Sequence, residues 1–467
     1  MQRWKDWFPC QGDQGIGIFS SLRRLSINGV SNWRVAYLKT LCDKLVASIA
    51  GYKQLSTLRV QECKGVVCGI RVDLEQLKDI TLAYVPEFRF QTKGFMTGLR
   101  KVEKLTIADC NDPEVTWPYL ISLRNLCIST DSKLQQLHQL ASLQTLYMYK
   151  CQSHLVLKEE EEEIEGSSLS SSHCRRKEEA SCLETMAIVD CPSITFHPKD
   201  TLKHLEVSNC YQLESISDSL LWDNTCFEFI DIYDCENLKS LPKGLCHLTS
   251  LRFFYLRNCG SLVSFPSGGF PTRAANLFYI AMASCSKLDT LPHGMNLNSL
   301  EKLSIAYCNG LTPILEQGLS SNLAHLTIWK PYNCKPLSHW GLTLNRLTSL
   351  KDLWLGGVDL RLSSFPPEGE EMLLPKSHII LNISDFPNLR HPSSQGYRFL
   401  TSLESLEIRD CPKLEYFPED LALSLTQLRI YDHCPVLRKR YKPGNAKDWA
   451  TIAHIPYIDI GDLPLEQ

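Results

Sequence analysis

A nine-residue phrase, L-x-x-L-x-I-x-x-C, recurs along this chain and constrains its fold more than any other feature of the sequence. Consecutive copies run from Leu251 to Cys259, from Leu277 to Cys285 and from Leu300 to Cys308. Further copies end at Cys63, Cys110, Cys151, Cys191, Cys210, Cys235 and Cys411. The cysteines of this set from Cys191 to Cys308 are 19, 25, 24, 26 and 23 residues apart. The chain is therefore built from one unit used many times.

The phrase predicts a short strand followed by a turn. Its L-x-I core alternates with period two, as in a β-strand that has one buried face. A strand this short cannot bury that face alone, so neighbouring copies must stack into a parallel sheet with a continuous core. A period in the twenties with this phrase is typical of a leucine-rich repeat. We therefore predict an α/β solenoid, a leucine-rich-repeat horseshoe with a parallel sheet on the concave face and an irregular or short helical convex side.

The cysteine follows the strand, where the chain must turn. A buried thiol is a small hydrophobic group with a weak donor, so we expect it to take the place that asparagine has in related repeats. Looser copies place other residues near this position: Val30, Val358 and Phe386, and Cys434 one residue late. A second half-phrase ends in proline, which favours irregular structure, at Pro242, Pro266, Pro292 and Pro418.

Three segments are distinguished by their patterns. About 16 or 17 copies of the repeat cover residues 1–437. Residues 438–467 are predicted to be a C-terminal cap and tail, in which Trp449 and Ile455 cover the last repeat. Residues 158–180 are acidic and then Ser-rich, and such a segment cannot bury enough apolar surface to order itself. We predict a disordered insert at residues 155–181, whose alternative use would be an acidic docking tail.

Composition excludes several functional classes. The formal net charge of −3 over 467 residues removes the usual argument for a nucleic-acid surface, which needs a concentrated basic excess. No apolar stretch reaches the roughly 18 residues of a membrane span, and the N-terminus has no secretory signal. We therefore expect a cytoplasmic chain that binds a protein, with no nucleic acid and no membrane span.

The motifs of catalysis and cofactor binding are missing from the sequence. No Gly-Lys pair occurs, so no P-loop holds a nucleotide phosphate, and no G-x-S-x-G or C-x-x-C motif is present. His173 and Cys174 lie in the acidic insert without partners for a zinc site. We predict that the chain is not an enzyme and has no catalytic residue, no metal and no cofactor.

The x positions around the L-x-I core are predicted to face the concave side of the sheet. Aromatic residues recur there with Arg and Lys between them, which is the composition of binding hot spots. The alternative is that aromatic residues simply suit strands and cover the sheet. The candidate partner-binding residues are Tyr147, Tyr149, Phe229, Asp231, Tyr233, Phe253, Tyr255, Arg257, Tyr279, Lys302, Tyr307, His325, Trp329, Trp354, Glu407 and Arg409.

Beyond the repeat itself, the connectors and the ends of the chain point to a known family. L-T-S-L connectors begin at Leu248, Leu347 and Leu400. The chain closes with Cys434–Arg440, Gly444, Asp448-Trp449 and Ile452–Ile460, and it opens with Trp4–Phe8. Together these features resemble the leucine-rich-repeat region of plant nucleotide-binding leucine-rich-repeat disease-resistance proteins of the coiled-coil type. The resemblance covers nearly the whole chain except the acidic insert.

The resemblance implies a sensor in plant immunity. In that family the repeat region recognises a pathogen effector, or a host protein that an effector modifies, and holds the nucleotide-binding module inactive. This chain departs from the family because it carries neither the nucleotide-binding nor the signalling domain. We therefore expect a fragment without the nucleotide switch, whose full-length receptor would bind ADP or ATP through the absent domain.

Two other classes compete with this interpretation. One is a leucine-rich-repeat substrate-recognition subunit of a ubiquitin ligase, or a stand-alone repeat adaptor. A ligase subunit needs an N-terminal helical adaptor-binding motif, for which residues 1–20 are too short and too Gly-rich. The other is a secreted receptor ectodomain, which predicts a signal peptide, paired cap cysteines and many glycosylation sequons. One sequon occurs, at Asn382.

Overall fold

The structure is a computed structural model that describes parts of the chain between residues 23 and 461. The described residues are 23–28, 54–62, 76–85, 100–109, 120–129, 140–151, 182–193, 201–222, 224–271, 276–289, 291, 299–309, 319–330, 344, 346–367, 374–375, 377, 379–393, 400–417, 424–431, 433–442 and 444–461. The predicted insert, the opening segment and the repeat positions at Cys63, Cys110, Val30, Pro292 and Pro418 lie outside them.

The chain divides into two compact units, residues 1–224 and 225–467. Within its described part, unit 1 has a short helix α1 (Ser219–Trp222) and eight strands that pair in parallel, each with the next. The strands are β1 (Arg24–Asn28), β2 (Thr57–Gln61), β3 (Asp79–Ala83), β4 (Lys104–Ala108), β5 (Asn125–Ser129), β6 (Thr145–Tyr149), β7 (Thr185–Val189) and β8 (His204–Ser208).

Unit 2 repeats this arrangement. Its strands are β9 (Phe229–Tyr233), β10 (Phe253–Arg257), β11 (Tyr279–Ala283), β12 (Lys302–Ala306), β13 (His325–Trp329), β14 (Asp352–Gly356), β15 (Ser364–Phe365), β16 (Ile380–Ser384), β17 (His391–Pro392), β18 (Ser405–Arg409), β19 (Gln427–Ile430) and β20 (Tyr457–Asp459). Strands β15 and β17 form a separate parallel pair, and the others pair in parallel in chain order.

The repeat phrase sets the register of these strands. Phe254 of β10 lies opposite Ile280 of β11, which lies opposite Leu303 of β12, and all three are at most 1% exposed. The second and fourth positions of each strand of the phrase thus build the core, and the first, third and fifth face the other side. The predicted parallel-sheet solenoid is confirmed.

The turn after each strand explains the cysteine of the phrase. The residue that follows the strand has a positive φ, such as 53° at Asn258, and its N–H donates to the carbonyl of Ala283 in the next repeat at 2.8 Å. Two residues past the strand, the thiol of Cys259 lies 3.5 Å from the carbonyl oxygen of Arg257 and 3.9 Å from that of Ile232. The thiol therefore contacts the backbone of two repeats.

Other residues fill the same position where the cysteine is missing. Val358 is 5% exposed and Phe386 is fully buried. Cys434, although it comes one residue late, is also fully buried, and its sulfur accepts the N–H of Cys411 at 3.3 Å. The side chain at the cysteine position of the phrase is therefore buried in each of these copies, and an apolar side chain can replace the thiol.

The connections between strands contain little helix in the described part of the chain. In one of them, Pro242 precedes a 3₁₀ helix at Lys243–His247. Unit 2 also has two short helices near its end, α2 (Pro435–Arg440) and α3 (Ala446–Trp449). Of the helices described, none has the length and apolar character needed to cross a membrane.

The last described residues continue the sheet. Strand β20 pairs in parallel with β19, so the segment that we predicted to be a cap contributes a strand of its own. Ile452 and Ile455 are buried, whereas Trp449 is half-buried. The buried guanidinium of Arg438 donates to the carbonyl of Gly461 and ties α2 to the end of the described chain. The boundary at residue 437 stays a prediction.

Candidate functional site

Within each unit, the candidate residues share one face of the sheet, with one exception in unit 2. All except Tyr307 occupy the first, third or fifth position of a strand. We call these positions in unit 2 the outer face. Tyr307 comes one residue after β12, has a φ of 53° and lies in the turn, with the ammonium of Lys330 6.0 Å from its ring centroid. Its predicted place on the sheet was therefore wrong.

Tyr147 and Tyr149 belong to unit 1 and are described separately. Both lie on β6, where Tyr147 is 39% exposed. Partial burial raises the pKa of Tyr147, and the nearby carboxylate of Glu206 acts in the same direction. The ammonium of Lys150 lies 5.0 Å from the ring centroid of Tyr149. These two tyrosines form a small group of their own.

The outer face of unit 2 carries a continuous aromatic group at its first strands. The ring of Tyr255 on β10 meets that of Phe229 on β9 edge-on at 5.3 Å and that of Tyr279 on β11 at 5.2 Å. The ring of Phe253 lies 6.2 Å from that of Phe229. We call these four residues the aromatic cluster. Burial raises the pKa of the Tyr255 hydroxyl, so the group is a neutral donor at physiological pH.

A charge pair borders the aromatic cluster. The guanidinium of Arg257 donates to the carboxylate of Asp231 at 2.6 Å, and it lies 4.9 Å from the ring centroid of Tyr233. Asp231 is consequently buried, with only 11% of its side chain exposed. Arg257 from the next repeat therefore covers Asp231, which we predicted to contact a partner.

Two residues beside the aromatic cluster escaped the sequence analysis. The guanidinium carbon of Arg252 lies 5.6 Å from the ring centroid of Phe253. The ammonium of Lys302 lies 5.4 Å from the ring centroid of Phe278. Arg252 and Phe278 each precede a strand by one residue, so a search confined to the strand positions of the phrase passes over them. The repeated position before each strand was the signal that could have found them.

A second site lies further along the outer face, around Trp329 and Trp354. The two indoles border a shallow depression that is partly open to solvent. We call it the tryptophan pocket. The other lining residues are Leu355, Asn382, Ile383, Ser384, Glu407, Arg409 and Tyr431.

A row of polar side chains borders the tryptophan pocket. With its amide oriented to satisfy both neighbours, Asn382 accepts the indole N–H of Trp354 at 2.5 Å and donates to the carboxylate of Glu407 at 2.9 Å. Glu407 also accepts from the guanidinium of Arg429 at 2.9 Å, and this bond raises the pKa of Arg429. Glu407, which we predicted to contact a partner, is therefore occupied by neighbours on β16 and β19.

His325 and Asp352 form a further pair at the first strand positions. His325 Nδ1 lies 3.4 Å from Asp352 Oδ2. Burial raises the pKa of the Asp352 carboxyl, and the adjacent His325 opposes this effect. Asp352, Asn382 and Arg429 were not among the candidate residues, although each occupies a first or third strand position. Those positions were the signal that could have found them.

The absence of a side chain at Gly356 leaves room for the indole of Trp329 against the sheet. A Cβ atom at Gly356 would lie 3.0 Å from Cδ2 of Trp329 and 2.8 Å from Oγ of Ser384. The missing side chain therefore makes the room in which the indole lies across β14. The indole nitrogen of Trp329 is buried and has no hydrogen-bond partner among the residues that the structure describes.

Comparisons with known proteins agree with the sequence resemblance. The chain is 29% identical over 407 residues to a putative disease resistance protein of Arabidopsis thaliana, a match that covers 80% of this chain and 26% of that protein. It is 27% identical over 167 residues to the TMV resistance protein N of Nicotiana glutinosa, covering 36% of this chain and 14% of that protein. No protein-family model matches the chain.

These relatives identify the class of protein that the chain resembles. The resemblance to plant disease-resistance proteins is confirmed, and the chain is similar to about a quarter of the length of the Arabidopsis relative. Among solved structures, the crystal structure of a TLR13–ssRNA13 complex matches 95% of this chain and 62% of that one, at 15% identity and a TM-score of 0.49.

Proposed function

We propose that this chain is the protein-recognition region of a plant immune receptor and that the outer face of unit 2 binds the partner. The proposed partners are a pathogen effector, a host protein that an effector modifies, or the nucleotide-binding domain of a longer receptor. The proposal places the chain in the cytoplasm and assigns it binding without catalysis. Any ADP or ATP would be held by another domain of that receptor.

The aromatic cluster is the observation that carries this proposal. Phe229, Phe253, Tyr255 and Tyr279 occupy equivalent or neighbouring positions on three adjacent strands, and cationic side chains border them. Aromatic residues and arginine are the residues that most often dominate protein interfaces. An aromatic area of this kind on a solvent-facing sheet also favours association with a partner. The similarity to disease-resistance proteins supports the immune setting.

The test is a binding measurement with matched tyrosine variants. Secreted pathogen proteins and host proteins would be screened against the 467-residue chain, and the dissociation constant of each binder measured by calorimetry. Tyr255→Ala, and in parallel Trp329→Ala, should weaken binding by about 1–3 kcal/mol, because each removes an anchor of the outer face. Both variants should keep the melting temperature of the wild type.

Tyr211 supplies the matched control. It is also an exposed tyrosine, at 48%, but it lies in a turn outside the strands. Tyr211→Ala should therefore leave the affinity unchanged. Binders that are indifferent to Tyr255→Ala and Trp329→Ala, or that respond equally to Tyr211→Ala, would reject the outer face as the recognition surface.

A further inference from the structure

The carboxylates described near the tryptophan pocket each have a basic side chain beside them. Glu407 is bound by Arg429 at 2.9 Å, and Asp385 by Lys330 at 2.8 Å. Asp352 lies 3.4 Å from His325. The guanidinium of Arg409, in contrast, forms no ion pair with any residue that the structure describes. Arg409 thus carries a charge at the rim of the pocket that no described residue pairs.

The orientation of Arg409 suits it to receive an anion. Its guanidinium carbon lies 4.2 Å from the ring centroid of Tyr431, so the side chain rests on an aromatic ring. A guanidinium that stacks in this way keeps its N–H groups free for an acceptor, and its planar fork matches the two oxygens of a carboxylate. Arg409 is also exposed, so a ligand can reach it from solvent.

A second donor points to the same kind of ligand. The indole N–H of Trp329, which also lines the pocket, is buried without a partner among the described residues. A buried donor without an acceptor carries a desolvation penalty that an incoming oxygen can relieve. The indole N–H of Trp354 is already taken by Asn382. Arg409 and Trp329 therefore each bring to the pocket a donor that no described residue accepts.

We infer that the tryptophan pocket is a subsite for the carboxylate of an aspartate or glutamate side chain on a bound protein, an inference that rests on the proposed recognition function. Arg409 binds the carboxylate, the indole N–H of Trp329 reaches its oxygen after a small shift, and the rings of Trp354 and Tyr431 contact the apolar stem. One unpaired cation matches a monoanion, whereas phosphoryl groups with nearly two charges are usually held by several cations.

The test uses a small capped peptide and the indole signals of the protein. The probe is a tripeptide with a central glutamate between two phenylalanines, acetylated and amidated so that its side chain is its one carboxylate. The 467-residue chain would be labelled with ¹⁵N-tryptophan, which has nine indole N–H groups to observe. The cross-peak that disappears in Trp329→Phe identifies Trp329. The glutamate peptide should shift this cross-peak to saturation.

Matched variants separate the carboxylate contact from general attraction. Arg409→Gln should weaken the binding of the glutamate peptide about tenfold or more, because it removes the charge-assisted hydrogen bonds. Arg390→Gln removes an exposed arginine that precedes β17 and lies outside the outer face, and it should have no effect. An equal loss in both variants, or an unchanged affinity in Arg409→Gln, would overturn the inference.

Three further peptides test the chemistry of the ligand. The matched glutamine peptide should bind at least about tenfold more weakly than the glutamate peptide. Equal binding of the two would show an apolar site alone. Tighter binding of a phosphoserine peptide, or of a diphenylalanine with a free C-terminal carboxylate, would show a different source of the anion, and either result would overturn the inference as stated.

The two proposals can fail independently. The peptide titration needs no natural partner. If the glutamate peptide binds as expected but Tyr255→Ala and Trp329→Ala do not change the affinity for protein partners, only the proposed function would be rejected. Partner binding that depends on Tyr255, together with no response of Trp329 to the glutamate peptide, would reject the carboxylate subsite alone.

Discussion

At the residue scale, the side chains of the outer face are arranged by contacts between repeats. The indole of Trp329 occupies the room above Gly356, and Arg257 covers Asp231 from the next strand at 2.6 Å. A glycine at the fifth position of β14 thus determines where an aromatic ring of β13 can lie. Adding a single methyl group at Gly356 therefore tests whether the indole lies there.

Gly356→Ala tests this arrangement. The new Cβ would lie 2.8 Å from Oγ of Ser384 and 3.0 Å from Cδ2 of Trp329, so one of them must move. We expect a loss of about 1–3 kcal/mol in the free energy of unfolding, the usual cost of overpacking. Urea unfolding followed by circular dichroism measures it.

The control for this variant is a glycine with open space. A Cβ at Gly444 meets no atom within 4 Å, so Gly444→Ala should change stability by less than about 0.5 kcal/mol. In the double variant Gly356→Ala, Trp329→Ala, part of the loss should be recovered because the clash with the indole is gone. A stable Gly356→Ala would show that the indole does not lie across β14.

At the element scale, the turn after each strand explains why cysteine recurs. The thiol of Cys259 is fully buried, and burial raises its pKa to about 12. Burial likewise raises the pKa of the Cys411 thiol. The cysteines that the structure describes are all free thiols. Buried cysteines of the repeat phrase such as Cys259 and Cys411 therefore act as small neutral core groups of the turn.

These thiols predict a loss of stability in alkali. In the folded chain Cys259 stays neutral up to about pH 12, whereas the unfolded thiol ionises near its ordinary value of 9.0. The stability that the neutral thiol contributes is therefore fully present below pH 9 and declines as the pH rises from 9 towards 12. Each such thiol should lower the free energy of unfolding by about 1.4 kcal/mol per pH unit in this range.

The slope of stability against pH measures this effect. Under reducing conditions, the free energy of unfolding of Cys259→Ala should decline less steeply between pH 9 and 11 than that of the wild type. The difference should be about 1.4 kcal/mol per pH unit, the contribution of one thiol. Cys182, which is exposed, supplies the control, and Cys182→Ala should keep the wild-type slope. Identical slopes in all three proteins would mean that Cys259 ionises as easily in the folded chain as in the unfolded one.

At the scale of the whole molecule, each repeat is stabilised by its neighbours. Leu303 is 1% exposed and lies opposite Ile280 and Leu326 in the adjacent strands. In a solenoid, the energy of one repeat depends on its own packing and on the two interfaces beside it. A defect in one repeat should therefore spread only a short distance along the chain.

Leu303→Asp tests the range of this coupling. A charge buried without a partner should unfold β12 and the adjoining repeats β11 and β13, because their inward faces lose the residue between them. Hydrogen exchange should accelerate in these strands and stay unchanged in β2–β4. Ser304→Asp, on the outer face of the same strand, should leave the exchange rates near those of the wild type. Uniform acceleration throughout the chain would indicate that unfolding is global.

The sequence by itself determined the parallel-sheet solenoid and the face of the sheet on which most candidate residues lie. Both depend on a period of two within a strand and a period in the twenties between strands, which the repeat phrase displays directly. The phrase could not place Tyr307, because the strand ends one residue before it and the chain turns with a positive φ.

Only the tertiary structure decided which side chains are free to bind. Arg257 and Asp231 are 26 residues apart, and Arg429 and Glu407 are 22 residues apart, yet each pair is in contact across neighbouring strands. These pairings occupy Asp231, Arg257 and Glu407, which we predicted to contact a partner, whereas no described residue forms an ion pair with Arg409 beside the tryptophan pocket. They depend on register and side-chain conformation in adjacent repeats, which no pattern within one repeat specifies.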